Sequence, residues 1–210
     1  MRLLESGRRV IGVARNFTTD TDFETLVCDV SNAESVQAAF AGFKKQRDIF
    51  GLINCAGVLH TNAIAAISPT EVDRIIDTNV KGTIHCCKHI IRPLLAHGSG
   101  RIINFSSIAA SAALRGDSVY SASKVAIETF SRAFAKELAD RNVTVNCIAP
   151  GVIATDMTAS LTEAQIADLV SLQIIQKQAT LDDVWASVQF LLSDQARMIT
   201  GQSLHIGGVR

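Results

Sequence analysis

The chain has 210 residues, a formal net charge of zero and an apolar share of 48%. This length fits a single domain, and the apolar share is large enough for a substantial core. The balanced charge gives no sign of a nucleic-acid partner, and no apolar segment approaches the ~18 residues that a membrane span requires.

Strand-like apolar runs alternate with helical segments along the chain. The predicted strands are Arg9–Ala14, Thr25–Cys28, Phe50–Asn54, Arg101–Phe105, Thr144–Ile148 and Ser203–Ile206. Such alternation is typical of a parallel sheet that is covered by helices on both faces. The sequence therefore predicts an α/β fold with a doubly wound parallel sheet in one domain.

Three helix starts are predicted from capping boxes, in which a serine or threonine precedes a glutamate or glutamine by three residues. The pairs are Ser31 with Glu34, Ser68 with Glu71, and Thr162 with Gln165. The longest helical stretch, Pro69 to about His97, is expected to bend or break near Gly82. A second long helix is expected from Tyr120 to about Leu138, and the polar segment Thr18–Asp22 is predicted to be a loop.

Tyr120 and Lys124 lie four residues apart, which places them on one face of the predicted helix. An adjacent ammonium favours the ionised phenol, so we expect it to lower the tyrosine pKa by roughly 1–3 units from ~10. Such a phenol can exchange a proton with a substrate oxygen. Ser107, which follows a predicted strand, could hydrogen-bond the same oxygen. By itself, the tyrosine–lysine spacing also fits a solvated helix.

Several motifs, taken together in this order and at these separations, resemble the short-chain dehydrogenase/reductase family. They are Asn54-Cys55-Ala56-Gly57, Asn79-Val80-Lys81-Gly82, Tyr120 to Lys124 with Ser107 upstream, and Ala149 to Met157. The resemblance extends from about Leu4 to Gly208. It implies a Rossmann-type fold and an oxidoreductase that uses a nicotinamide cofactor.

The resemblance implies a catalytic set of four residues: Asn79, Ser107, Tyr120 and Lys124. Tyr120 would be the general acid in carbonyl reduction, and Lys124 would lower its pKa and bond the nicotinamide ribose. Ser107 would orient and polarise the substrate carbonyl. Asn79 would hold a water in a proton relay from the lysine to solvent.

The resemblance also implies cofactor contacts beyond the tyrosine and the lysine. These are Arg15, Asp29, Val30, Asn54, Ala56, Gly57, Pro150, Gly151, Ile153 and Thr155. The turn after Asn54 would approach adenosine, Asp29 would face the adenine, and the segment from Pro150 would pack on the nicotinamide. An ordinary turn or loop would explain each of these positions as well.

The residues at the end of the predicted strand Arg9–Ala14, which corresponds to the second strand of the family, bear on the choice of cofactor. Enzymes that use NAD place an acidic residue there to bond the ribose 2′-hydroxyl, whereas this chain has Ala14 followed by Arg15. A guanidinium can hold a 2′-phosphate, so NADP(H) is the predicted cofactor. A solvated Arg15 is the alternative.

The cysteines and histidines predict no metal site. His85 and His89 are one helical turn apart, but no further ligand stands at a fitting spacing. The five cysteines include no C-x-x-C pair, and several, such as Cys55, lie in or beside predicted strands. We expect reduced, mostly buried thiols in a cytoplasmic protein, because the first residues also lack the features of a signal peptide.

The chain departs from the family pattern at its start. Members begin with a strand and a T-G-x-x-x-G-x-G turn that binds the cofactor pyrophosphate, whereas Met1 to Gly7 resembles the second half of the following helix. The resemblance places the missing strand between Arg9–Ala14 and Phe50–Asn54, so we expect two unpaired strand edges. Either the sequence is incomplete here, or the chain is a truncated paralogue that has lost tight cofactor binding.

The expected activity is NADPH-dependent reduction of a ketone, most like a 3-oxoacyl-[acyl-carrier-protein] thioester in fatty acid synthesis. The substrate would be a small molecule or bound to a carrier protein. One alternative is a dehydrogenase of a cyclic diol or small alcohol, with which the short connection from Arg15 to Asp29 is compatible. Another is a catalytically silent paralogue that acts as a binding or assembly subunit.

Two further features follow from the resemblance. The amphipathic segment from Thr155 to about Lys177 resembles a mobile substrate lid, although a plain packed helix fits the same pattern. Relatives pair through helices that correspond to Pro69–His97 and Tyr120–Leu138, which implies a homo-oligomer, either a tetramer or a dimer.

Overall fold

A computed structural model of the protein describes residues 2–17, 21–155, 158 and 161–209. The strands are β1 (Ile11–Ala14), β2 (Glu24–Val27), β3 (Gly51–Asn54), β4 (Gly100–Phe105), β5 (Val143–Ala149) and β6 (Ser203–His205). The helices are α1 (Arg2–Glu5), α2 (Ala33–Phe40), α3 (Pro69–Ile75), α4 (Gly82–His97), α5 (Ala109–Ala112), α6 (Ser118–Glu137), α7 (Glu163–Ser171) and α8 (Leu181–Leu192). None of the described helices is long and apolar enough to cross a bilayer.

All six predicted strands are confirmed. Strands β3, β4, β5 and β6 form one parallel sheet in that order, and β1 and β2 form a second parallel sheet. Successive residues of the central strands face opposite sides: Ile102 and Val145 pack with α2, α4 and α6, whereas Ile103 and Ile148 pack with α8. Both faces of the main sheet are therefore covered, which explains why its central strands are continuous apolar runs.

The long helical stretch is interrupted, as the sequence predicts. A π-helical turn at Ile76–Lys81 separates α3 from α4. The glycine that follows is required by a close approach, because a Cβ at Gly82 would lie 3.0 Å from Cγ2 and from the carbonyl oxygen of Val30. Single π turns occur often at functional sites, and this one carries the buried Asn79.

Two of the three predicted helix caps are confirmed. Ser68 accepts a hydrogen bond from the Glu71 amide, and Thr162 forms the full capping box with Gln165. The third prediction is wrong, because the α2 cap is Asn32, whose side chain accepts from the Ser35 amide. Ser31 instead donates its hydroxyl to the Asp29 carboxylate at 2.7 Å. Part of the loop predicted at Thr18–Asp22 lies outside the described residues.

The two sheets are separated by an open gap. Among the described residues, β1 pairs only with β2, and β3 pairs only with β4. A cavity of about 640 Å³, which we call the inter-sheet slot, lies between them; it is lined by Val10–Val13 and Phe50–Asn54 and also by Leu3 of α1. The two unpaired strand edges that were expected are therefore present.

An extended apolar segment in the inter-sheet slot should stabilise the fold, because it would give partners to the unpaired backbone groups of both edges. We expect a strand of about five valine and isoleucine residues, joined ahead of Met1 by a flexible linker, to raise the free energy of unfolding by about 2–5 kcal/mol. Chemical denaturation measures this change.

A matched control has proline at alternate positions of the added strand, which removes the amide donors but keeps an apolar segment. The control should give little or no stabilisation. Equal stabilisation by both segments would show that the slot takes up apolar groups without strand pairing.

Candidate active site

Three of the predicted catalytic side chains meet beyond the carboxyl end of β4. Ser107 follows this strand by two residues; its hydroxyl accepts from the Ala109 amide at 3.2 Å and is near enough to the Tyr120 phenol to lower the pKa of that phenol. The Lys124 amine lies 5.6 Å from the centre of the Tyr120 ring and donates to the Phe105 carbonyl oxygen at 3.0 Å. Tyr120 and Lys124, which both lie on α6, are buried, so they do not belong to a solvated helix face.

The pKa of the tyrosine shifts in the direction opposite to the sequence prediction. Burial raises the pKa of the Tyr120 phenol, the hydrogen bond with Ser107 lowers it, and the nearby Asp117 carboxylate raises it. Burial also lowers the pKa of the Lys124 amine to about 8. The ammonium that was expected to acidify the phenol is thus itself destabilised, because the enclosed site disfavours both charged forms.

Asn79 holds the turn after β3 in place. Its Oδ1 accepts from the Val58 amide at 2.8 Å, and its Nδ2 donates to the Val58 carbonyl oxygen and to Ser123 Oγ, each at 3.0 Å. Ser123 in turn donates to the Tyr120 carbonyl oxygen at 2.6 Å. The side chain therefore joins this turn to α6, while the predicted water relay stays a prediction.

The turn after β3 runs against the lysine. A methyl group at Gly57 would lie 3.4 Å from Lys124 Nζ, and Ala56 beside it is exposed. Asn54, in contrast, points inward and donates its amide to Asn104 Oδ1 at 2.8 Å. Three residues of this turn were predicted to approach adenosine. Ala56 and Gly57 are small and lie at the site, whereas the Asn54 side chain bonds inside the fold.

One cysteine departs from the expectation of buried thiols. Cys55 is exposed, whereas the other four cysteines are buried. The reason is its place just beyond the end of β3, in the turn that passes over the lysine.

Arg15 and Asp29 lie at the carboxyl ends of the neighbouring strands β1 and β2. Hydrogen bonds from Ser31 lower the pKa of the Asp29 carboxyl, and the Arg15 guanidinium lowers it further by its charge. Arg15 is exposed, while Val30 packs against Gly82 at the start of α4. The predicted adenine-side residues therefore lie together at one sheet edge.

The segment after β5 is held by backbone contacts on several sides. The Pro150 carbonyl oxygen accepts from the Ile108 amide at 2.9 Å, and the Gly151 amide donates to Ile206 at 3.1 Å. Ile153 forms an isolated parallel bridge with Ala179. The segment therefore borders the same carboxyl edge of the sheet as the tyrosine site.

The chain beyond this segment contains the helix that the lid prediction requires. Thr155 is exposed, and its amide donates to Thr158 Oγ1 at 3.0 Å. Asp156, Met157, Ala159 and Ser160 lie outside the described residues. The amphipathic helix itself is confirmed as α7, and its lid role stays a prediction.

Gln173 contacts the segment after β5, although no sequence pattern singles it out. Its side chain is 0% exposed, and its Oε1 accepts from the Val152 amide at 2.8 Å. A glutamine just after an amphipathic helix is ordinarily a surface residue, and only the tertiary fold brings it to the segment after β5.

Comparison with known proteins gives one consistent result. A family profile described as Enoyl-(Acyl carrier protein) reductase matches residues 5–209. The chain is 37% identical over 184 residues to the 3-oxoacyl-[acyl-carrier-protein] reductase FabG of Haemophilus influenzae, and the match covers 87% of this chain and 76% of that protein.

Solved structures share the fold over nearly the whole chain. The aldohexose dehydrogenase of Thermoplasma acidophilum has a TM-score of 0.88 at 27% identity, with 99% of this chain and 86% of that chain covered. An actinorhodin polyketide ketoreductase with NADPH also has a TM-score of 0.88, at 25% identity, with 98% and 88% covered. These likenesses show a shared fold, and in open α/β folds ligands bind at the carboxyl edge of the parallel strands.

The direction of the Tyr120 pKa can be measured directly, because this is the single tyrosine of the chain. Phenolate absorbance during a pH titration of the cofactor-free protein should give a pKa above the usual value near ~10, because burial disfavours the anion. Ser107→Ala should raise this pKa further by removing a hydrogen bond that lowers it. Asp117→Asn is the matched control with the opposite sign, and should lower it. If the phenol ionises below the usual value, burial is not the main influence on the pKa of Tyr120.

Proposed function

Because the chain belongs to the short-chain dehydrogenase/reductase family of NAD(P)-dependent oxidoreductases, we propose that it uses NADPH to reduce a ketone to a secondary alcohol. The observation that carries the proposal is the meeting of Ser107, Tyr120 and Lys124 beyond β4, where the Ser107 hydroxyl is near enough to the Tyr120 phenol to lower its pKa. A carbonyl oxygen placed between these hydroxyls would accept from both.

The raised pKa of Tyr120 suits the reduction direction. A phenol that stays neutral through neutral pH is an acid that can donate its proton to a carbonyl oxygen as negative charge develops there. Ser107 would polarise the same oxygen and hold the phenol in place. When bound, the nicotinamide supplies the hydride, and the protein supplies orientation and the proton.

Lys124 is suited to replace the proton that the tyrosine gives up. With a pKa of about 8, its amine can gain and lose a proton near neutral pH. It lies against the Tyr120 ring and under the turn that contains Gly57, where it and the phenol could both bond a ribose. Asn79 fixes this turn, which makes it a positioning residue and a candidate member of the relay.

The residues present fit the two ends of NADPH. Arg15 is exposed at the end of β1, where a guanidinium could hold a 2′-phosphate, and Asp29 with Val30 would border the adenine. Pro150 to Ile153, with Thr155 beyond, would pack on the nicotinamide. The likeness to the polyketide ketoreductase, whose structure was solved with NADPH, supports this choice of cofactor.

The residues named so far would contact the two ends of the cofactor, and none of them is assigned to its pyrophosphate. We propose that a further strand and a glycine-rich turn ahead of Arg2 complete the domain, with the strand in the inter-sheet slot. The slot supports this because its two rims are unpaired strand edges and its wall includes Leu3 of α1. Assays should therefore compare the 210-residue chain with a form that carries such an extension.

We propose a 3-oxoacyl thioester, free or bound to acyl carrier protein, as the substrate, in the cytoplasm and in fatty acid synthesis. The 37% identity to the Haemophilus reductase supports this choice. A dehydrogenase of a sugar or small alcohol is the second candidate, favoured by the likeness to aldohexose dehydrogenase. NADPH oxidation with acetoacetyl thioesters, set against NAD(P) reduction with aldohexoses and small alcohols, separates the two.

A homo-oligomer, either a tetramer or a dimer, is part of the proposal. The helices that pair in the relatives correspond to α3, α4 and α6, and two large apolar side chains on them are exposed: Leu95 at 39% and Val125 at 45%. Their burial in a subunit contact would be favourable. Light scattering gives the oligomeric state, and a monomer at assay concentration would contradict this part.

Tyr120→Phe should lower kcat by about 10²–10⁴-fold, because it removes the proton donor and leaves the ring that packs against the lysine. The Kd of NADPH should change by less than about tenfold, since at most one hydrogen bond is lost. Steady-state kinetics and a fluorescence titration measure the two effects. Retained turnover in the phenylalanine variant would exclude Tyr120 as the acid.

Arg15→Ala should weaken NADPH binding by about 10–100-fold and leave NADH binding nearly unchanged, because only NADPH has the 2′-phosphate. The matched control is Arg141→Ala, which removes an exposed guanidinium at the start of β5, remote from the carboxyl edge. Parallel titrations with both cofactors measure the ratio. An equal loss for NADPH and NADH would assign Arg15 a role unrelated to the phosphate.

A further inference from the structure

Gln173 joins two parts of the chain that are distant in sequence. Its Oε1 accepts from the Val152 amide at 2.8 Å, and its Nε2 donates to the carbonyl oxygens of Ile175 and Lys177 at 3.1 and 2.9 Å. The side chain is 0% exposed. A buried amide is stable only when its polar atoms are paired, so these three bonds explain its burial.

Two glycines make room for this side chain. A Cβ at Gly151 would overlap Oε1 of Gln173, and a Cβ at Gly207 would lie 3.2 Å from its Cδ. Gly207 also has a φ of 86°, a left-handed conformation that favours glycine. Its carbonyl oxygen accepts from the Ile175 amide at 2.9 Å, which closes the pocket around the glutamine.

The Val152 amide depends on this glutamine. Val152 is 4% exposed, and its carbonyl oxygen is paired with the Ala179 amide at 2.9 Å. Its own amide donates to Gln173, and no other acceptor for it is found among the described residues. Loss of the glutamine carboxamide would leave a buried N–H unpaired, and the backbone would have to move to satisfy it.

We infer that Gln173 is a positioning residue that holds Pro150–Ile153 at the height required for the nicotinamide half of the cofactor. This inference rests on the proposed function, in which that segment packs on the nicotinamide. Because Gln173 follows α7 by two residues, the same side chain ties the helix on the substrate side to the cofactor side. Arg15 and Asp29, at the adenine end, are not part of this linkage.

The test compares ligands that occupy different halves of the cofactor site. In Gln173→Met, which keeps the length of the side chain but loses its hydrogen bonds, the Kd of NADPH should rise about tenfold or more. The Kd of adenosine 2′,5′-bisphosphate, which has no nicotinamide, should stay within about twofold. Isothermal calorimetry or fluorescence on the folded protein measures both values.

Asn146→Leu is the matched control. Asn146 is 1% exposed and also joins two backbone groups, donating to the Ile199 carbonyl oxygen at 2.8 Å and accepting from the Gln202 amide at 3.1 Å. Neither of these bonds reaches Pro150–Ile153. The control should lower the thermal stability as Gln173→Met does, yet leave the Kd of NADPH unchanged.

The possible outcomes separate this inference from the function on which it rests. NADPH binding by Gln173→Met with unchanged Kd, or an equal loss for both ligands, would overturn the inference alone. No NADPH binding by the unsubstituted protein, either as the 210-residue chain or with the proposed extension ahead of Arg2, would overturn both. If Gln173→Met does not fold, Gln173→Asn serves instead, since it keeps a carboxamide but is one methylene too short to reach the Val152 amide; unchanged NADPH affinity in that variant would again overturn the inference.

Discussion

The enclosure of a lysine amine at the end of β4 is the constraint on which the site depends. Lys124 is 4% exposed and donates to the Phe105 carbonyl oxygen, so its position is fixed by the central strand. Burial lowers the pKa of this amine and raises that of the Tyr120 phenol beside it. The phenol is therefore neutral near physiological pH, and the amine can gain and lose a proton there, which suits the pair to proton transfer.

The rest of the structure keeps that enclosure in shape. Asn79 pins the turn that contains Gly57 over the amine, and the π-helical turn places this asparagine there. The inter-sheet slot reaches the same turn, because its lining includes Asn54, Cys55 and Ala56 as well as the free edge of β3. The turn begins where β3 ends. We therefore expect that pairing of the free edge of β3 with another strand would also order the turn at the active site.

Sequence patterns predict the local features and fail where distant residues compete. The β-branched runs located all six strands, and the four-residue spacing placed Tyr120 and Lys124 on one face. The direction of the tyrosine pKa was wrong because burial outweighs the charge of a lysine that is itself desolvated. The capping box of α8 escaped prediction because Asp183 takes the place of the usual glutamate, whereas Gln173 meets Val152 only through tertiary packing.

A crystal structure with NADPH and a ketone analogue would show whether the substrate carbonyl binds between the serine and tyrosine hydroxyls. We expect the carbonyl oxygen to lie within about 3 Å of both the Ser107 and Tyr120 hydroxyls, with the Lys124 amine on the ribose side of the ring. A carbonyl bound away from these two hydroxyls, in a structure in which the ligand is well ordered, would contradict this expectation.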